Sequence, residues 1–244
     1  MRLKVEVWRQ AGPGEPGRFE AHTIDGVEPQ LSVLELLDAL NERLIDGGQE
    51  PVAFDSDCRE GICGACGVTV DGAVHGLEDN VPSCHQRLSS FRDGATVRIE
   101  PLRSAAFPVL RDLVVGRDAL DDLIRAGGHV AVDAGTAPDA DAVPTTTDVA
   151  EEALDFAACI GCGACVAACP NGSAHLFAGA KLAHLALLPI PALERRRRAR
   201  SLVDALDELF GPCSLYGECA QACPAGIPLT AIAVVNRERL GVLG

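Results

Sequence analysis

Eleven cysteines in 244 residues carry the chemistry of this chain, and they fall into three groups. Cys58, Cys63 and Cys66, with Cys84 further on, have the spacing C-x4-C-x2-C…C. Four thiolates in that order suit the two irons of a 2Fe–2S cluster. Gly61, Gly64 and Gly67 let the loop wrap closely and aim backbone N–H groups at sulfur. A structural zinc knuckle is the alternative, but zinc sites favour paired Cys-x2-Cys units, and this group departs from that format. His75 and His85 lie nearby. Four cysteines already complete the ligand count, so both histidines are assigned surface or supporting roles.

The second group, Cys159, Cys162, Cys165 and Cys169 followed by Pro170, is an unbroken C-x2-C-x2-C-x3-C-P run. In two-cluster proteins with this run, three cysteines hold one cluster and the fourth serves the other. The third group, Cys213, Cys219 and Cys223 followed by Pro224, repeats the run with Tyr216 where the second cysteine should fall. Exchange of the fourth cysteines assigns Cys159, Cys162, Cys165 and Cys223 to a 4Fe–4S cluster. Cys169, Cys213 and Cys219 are left around a site with no thiolate at one corner. Such a corner readily loses its iron, so a 3Fe–4S cluster is expected there. Sets of four, four and three use every cysteine.

Three unlike clusters in one small chain make a wire for single electrons. The chain shows no P-loop or G-x-S-x-G, so no separate catalytic constellation is expected. Acidic residues outnumber basic ones 35 to 21, and the net charge of −14 disfavours nucleic acid as the main partner. No apolar stretch reaches the roughly 20 residues of a membrane span, and the start lacks a secretory apolar core. A soluble intracellular chain is expected. Clustered cysteines in such a chain point to metal, and an odd count argues against a disulfide scaffold.

Elements must position these groups. Leu3, Val5 and Val7 alternate as a half-buried strand, and a Gly/Pro turn over 12–17 leads to a second strand, Phe19 to Ile24. Ser32 and Glu35 form a capping box opening a helix with Leu34, Leu37, Leu40 and Leu44 on one face, ended by Gly47-Gly48. Val68–Val74 predicts a hairpin about Asp71-Gly72, and Thr96–Glu100 a last strand. Beyond a boundary near residue 105 the pattern is helical: Leu110, Leu113 and Val114, then Leu120, Leu123 and Ile124, then 153–158, 176–188 and 193–210. An irregular acidic linker is expected over Asp133–Asp148. The arginine run Arg195–Arg198 with Arg200 reads as a solvated helix face, with anionic lipid as the alternative contact. His175 and His184 are assigned to packing or interfaces.

The cysteine runs, with Cys58-Arg59-Glu60-Gly61-Ile62-Cys63-Gly64 and the missing cysteine at 216, resemble the iron–sulfur subunit of succinate dehydrogenase and fumarate reductase. The resemblance spans nearly the whole chain. It implies an α+β protein: a β-grasp plant-type 2Fe–2S ferredoxin domain over 1–105 and an all-α bacterial-type ferredoxin domain over 106–244. It also implies a flavoprotein partner with FAD that oxidises succinate or reduces fumarate, and a membrane anchor, often with haem b. The subunit would sit peripherally on the cytoplasmic side of the membrane, its 3Fe–4S cluster nearest the quinone. Many such subunits carry His after the first cysteine of the third group and Trp soon after the Cys-Pro of the second. Here Ser214 follows Cys213, and 170–175 holds no Trp, which resembles the branch with a di-haem anchor and menaquinone. The rival reading is the iron–sulfur subunit of a different flavin oxidoreductase.

Overall fold

A computed structural model describes residues 1–131 and 145–240. In the N-terminal part, strands β1 (Leu3–Arg9), β2 (Arg18–Ile24), β3 (Val68–Val70), β4 (Ala73–Val74) and β5 (Thr96–Pro101) form one sheet in the order β2-β1-β5-β3-β4. β1 and β5 run parallel, and the other pairs are antiparallel. Helix α1 (Val33–Asp46) packs its Leu34, Leu37, Leu40 and Leu44 into the core with Leu3, Val5, Val7, Val97 and Ile99. Each such side chain contributes roughly 1.5–3 kcal/mol of burial. The capping box forms: Ser32 Oγ accepts from the Glu35 nitrogen, and the Glu35 carboxylate accepts from the Ser32 nitrogen. Asp71 and Gly72 take left-handed backbone angles, as a two-residue hairpin turn between β3 and β4 requires. This is the β-grasp arrangement expected.

The next segment departs from expectation. Leu110, Leu113 and Val114 have helical spacing, yet Val109–Arg111 and Val114–Val115 form a short antiparallel hairpin, β6 and β7. The Asp112 carboxylate decides this. It accepts from the backbone nitrogens of Gln10 and Ala53, both at 2.9 Å, and pairs with Arg9 at 3.3 Å. Those partners lie far away in sequence, so local periodicity carries no trace of them. Phe107 enters the helical core and Leu113 the sheet core, so the chain crosses between the two here.

The remainder is helical: α2 (Asp118–Leu123), α3 (Thr147–Ala157), α4 (Ala164–Ala167), α5 (His175–Leu187), α6 (Ala192–Leu209), α7 (Glu218–Gln221) and α8 (Thr230–Arg239). Most of the Asp133–Asp148 linker lies outside the described residues, while Thr147 and Asp148 already belong to α3. The arginine run needs a correction. Arg196, Arg197 and Arg200 are exposed, but Arg198 is only 5% exposed. Its guanidinium pairs with Glu194 at 2.8 Å and donates to the carbonyls of His129 and Ala131. Among the described residues, no helix is long and apolar enough to cross a membrane.

Candidate metal centres

Cys58, Cys63 and Cys66 lie on one loop between α1 and β3, and Cys84 follows β4. Arg59, Gly61 and Gly64 have φ of 55°, 73° and 72°, which turns successive N–H groups inward. The nitrogens of Glu60 and Cys63 each donate to Cys58 Sγ at 3.3 Å. Arg59, strained as a non-glycine there, is tied to α1 through the Asp38 carboxylate. These donors lower the Cys58 pKa to about 7, the Glu60 amide contributing most. Burial instead pushes Cys66 up to about 12. A buried thiol of that kind becomes a thiolate only when cations sit against it. The donor set and loop shape therefore fit a cluster.

His75 is buried 10 residues before His85, and burial lowers its pKa to about 4. Its Nδ1 accepts from the Ser83 nitrogen at 3.3 Å and lies 3.0 Å from Ser83 Oγ, which accepts from the Val68 nitrogen. His75 thus braces the residue preceding Cys84, a supporting role.

Two cavities lie in the helical part. Cys159, Cys162, Cys165 and Cys223 line one, with Phe177 and Ile227. Cys169, Cys213 and Cys219 line the other, with His175 and Tyr216. Short helices α4 and α7 build both. Each follows a left-handed glycine, Gly163 or Gly217, carries a cysteine of one set, and releases a Cys-Pro toward the other cavity. Burial raises the thiols of Cys162, Cys165, Cys219 and Cys223, Cys162 to about 12. All eleven cysteines are free of disulfides. Among the described residues no three Cys, His, Asp or Glu side chains converge tightly enough for a single metal ion.

Asn171 stitches the end of the second group to the start of the third. Its Nδ2 donates to the Pro212 carbonyl and to Ser214 Oγ, both at 2.9 Å. His175 is buried beside this cavity, its Nδ1 2.8 Å from Ser173 Oγ. Tyr216 stands at the cavity rim, 59% exposed. Sequence reasoning missed Arg117, whose side chain spans the first and second cysteine loops. A lone arginine at a helix start carries no motif that would have revealed it.

Residues 4–122 match the family model of a 2Fe-2S iron-sulfur cluster binding domain, and residues 155–227 that of a 4Fe-4S dicluster domain. The chain is 30% identical over 221 residues to the succinate dehydrogenase iron-sulfur subunit of Bacillus subtilis, covering 86% of this chain and 82% of that one. It is 31% identical over 236 residues to the fumarate reductase iron-sulfur subunit of Mycobacterium tuberculosis, covering 93% and 87%. The chain belongs to the family of succinate dehydrogenase and fumarate reductase iron–sulfur subunits. A chain of the Mycobacterium smegmatis Sdh1 complex in the apo form has the same fold, with a TM-score of 0.69 at 23% identity, covering 98% of this chain and 96% of that one. Within this family member Ser214 is exposed and bonded to Asn171, so its hydroxyl organises the loop. Ser214→Ala is expected to change quinone reduction by less than about tenfold, or roughly 1.4 kcal/mol in the barrier. Steady-state kinetics on the complex tests this, and a hundredfold loss with every cluster retained would contradict it.

Proposed function

We infer that this subunit relays electrons between the FAD of a succinate-oxidising or fumarate-reducing flavoprotein and a membrane quinone. Cys58, Cys63, Cys66 and Cys84 hold a 2Fe–2S cluster. Cys159, Cys162, Cys165 and Cys223 hold a 4Fe–4S cluster, and Cys169, Cys213 and Cys219 a 3Fe–4S cluster. Each cluster supplies a centre that gains and loses one electron. The chain's own residues exclude water, supply thiolates and aim N–H groups at them. The observation that most supports this reading is the crossing of the two Cys-Pro turns, which sets Cys223 beside the second group and Cys169 beside the third.

Each end of the relay exposes apolar side chains. Ile62, on the first loop, is 69% exposed, and suits contact with the flavoprotein. Leu215, Tyr216 and Leu229 are exposed around the cavity of Cys169, Cys213 and Cys219 and suit an anchor subunit carrying haem b. The absence of His at 214 favours a quinone, menaquinone in this reading, held mainly by that anchor. The subunit then sits peripherally on the cytoplasmic side of the membrane.

Analysis of non-haem iron in the purified complex is expected to give about nine irons in this chain: two, four and three. Three paramagnetic signals should follow, one of them present in the oxidised state. About six irons and no oxidised-state signal would remove the third cluster. Tyr216→Cys is expected to supply the missing thiolate and convert that centre towards 4Fe–4S. Survival of its oxidised-state signal at full intensity would show that position 216 is not the open corner.

A further inference from the structure

Arg117 precedes α2, and its side chain reaches back across the junction between the first and second cysteine loops. Its guanidinium donates to the carbonyls of Gly64 at 2.6 Å, Ala65 at 3.3 Å and Cys162 at 3.2 Å. Gly64 and Ala65 lie between Cys63 and Cys66, while Cys162 belongs to the second group itself. One side chain from a third segment therefore ties two loops together. Beside it, the loops touch through backbone. A Cβ on Gly64 would overlap the Ile160 carbonyl oxygen and stand 3.0 Å from the Cys162 nitrogen.

Two properties of the guanidinium matter here. Its donors are held in a planar fork, so three carbonyls fix it and it fixes them. Its charge is permanent, and among the described residues it forms no ion pair. A positive charge beside an iron–sulfur cluster favours the reduced, more negative state and raises the potential.

We propose that Arg117 is a positioning residue for electron passage between the 2Fe–2S and 4Fe–4S centres, holding their ligand loops in contact and placing one fixed positive charge at their junction. The inference rests on the function proposed above. The step moves one electron, oxidising the first centre and reducing the second; no bond changes and no proton moves.

The test uses the purified whole complex and two variants. Wild-type iron content and paramagnetic signals come first, because absence of the three clusters there would sink the proposed function itself. Arg117→Met keeps the bulk and removes charge and donors. It is expected to move the 4Fe–4S potential to more negative values and weaken the magnetic interaction between the reduced 2Fe–2S and 4Fe–4S centres. Quinone reduction should fall about tenfold while dye reduction at the flavin is unchanged. Arg117→Lys keeps the charge without the fork, so it should restore the potential but leave the interaction weakened. A Met variant with all three clusters and both spectroscopic properties unchanged overturns the proposal. Should the Met variant fail to assemble its 4Fe–4S centre, the Lys variant decides: wild-type magnetic interaction and turnover in it overturn the positioning role.

Discussion

Cys213→Ala is expected to abolish quinone reduction while electron transfer from succinate to an artificial dye at the flavin continues. In the proposed assignment the third centre has three thiolates and no fourth to spare. Cys213 shares its cavity with Cys169 and Cys219, and Tyr216 stands where a replacement would be needed. Two thiolates are too few to retain the cluster, and the route to the quinone ends there. The other cavity takes its cysteines from Cys159, Cys162, Cys165 and Cys223, so its ligand set is intact in the variant. Steady-state assays with quinone and with dye, alongside the paramagnetic signals, make the comparison. Quinone turnover within about tenfold of wild type would mean that electrons leave the chain elsewhere.

Gly64→Ala is expected to be strongly destabilising. Two costs combine. Gly64 has φ of 72°, where an L residue is disfavoured by roughly 1–2 kcal/mol. The added Cβ also meets the Ile160 carbonyl and the Cys162 backbone, which are fixed parts of a cysteine loop and cannot rotate aside. Forced overpacking of that kind costs typically about 1–3 kcal/mol more. The sum, about 2–5 kcal/mol, falls on the junction between the two cysteine loops. Gly72→Ala is the control. Its φ is 83°, yet nothing lies within 4 Å of the added Cβ, so it should show the conformational cost alone. Unfolding midpoints of the two variants give the difference. If Gly64→Ala is no less stable than Gly72→Ala, the loops are not in the contact described.

Much of this protein is legible in the order of its residues. Cysteine spacing is a local code, because the stereochemistry of a cluster dictates how far apart along the loop its thiolates stand. The same spacing, with the swap of the Cys-Pro cysteines, groups Cys223 with the second run and Cys169 with the third. β1 and α1 are equally legible, since strict alternation and a capping box act within a few residues. What only the tertiary structure decides involves partners distant in sequence. The pattern at Leu110, Leu113 and Val114 is helical, but Asp112 is captured by the amides of Gln10 and Ala53 and the chain turns back as a hairpin. Arg198 looks like one more solvated arginine until the carbonyls of His129 and Ala131 close around it. Arg117 carries no signal of its own, and Gly64 reads only as a glycine that lets its own loop wrap. Their importance arises because folding brings Cys162 against the loop of Cys63 and Cys66, where a fork of donors is needed and a methyl group has no room.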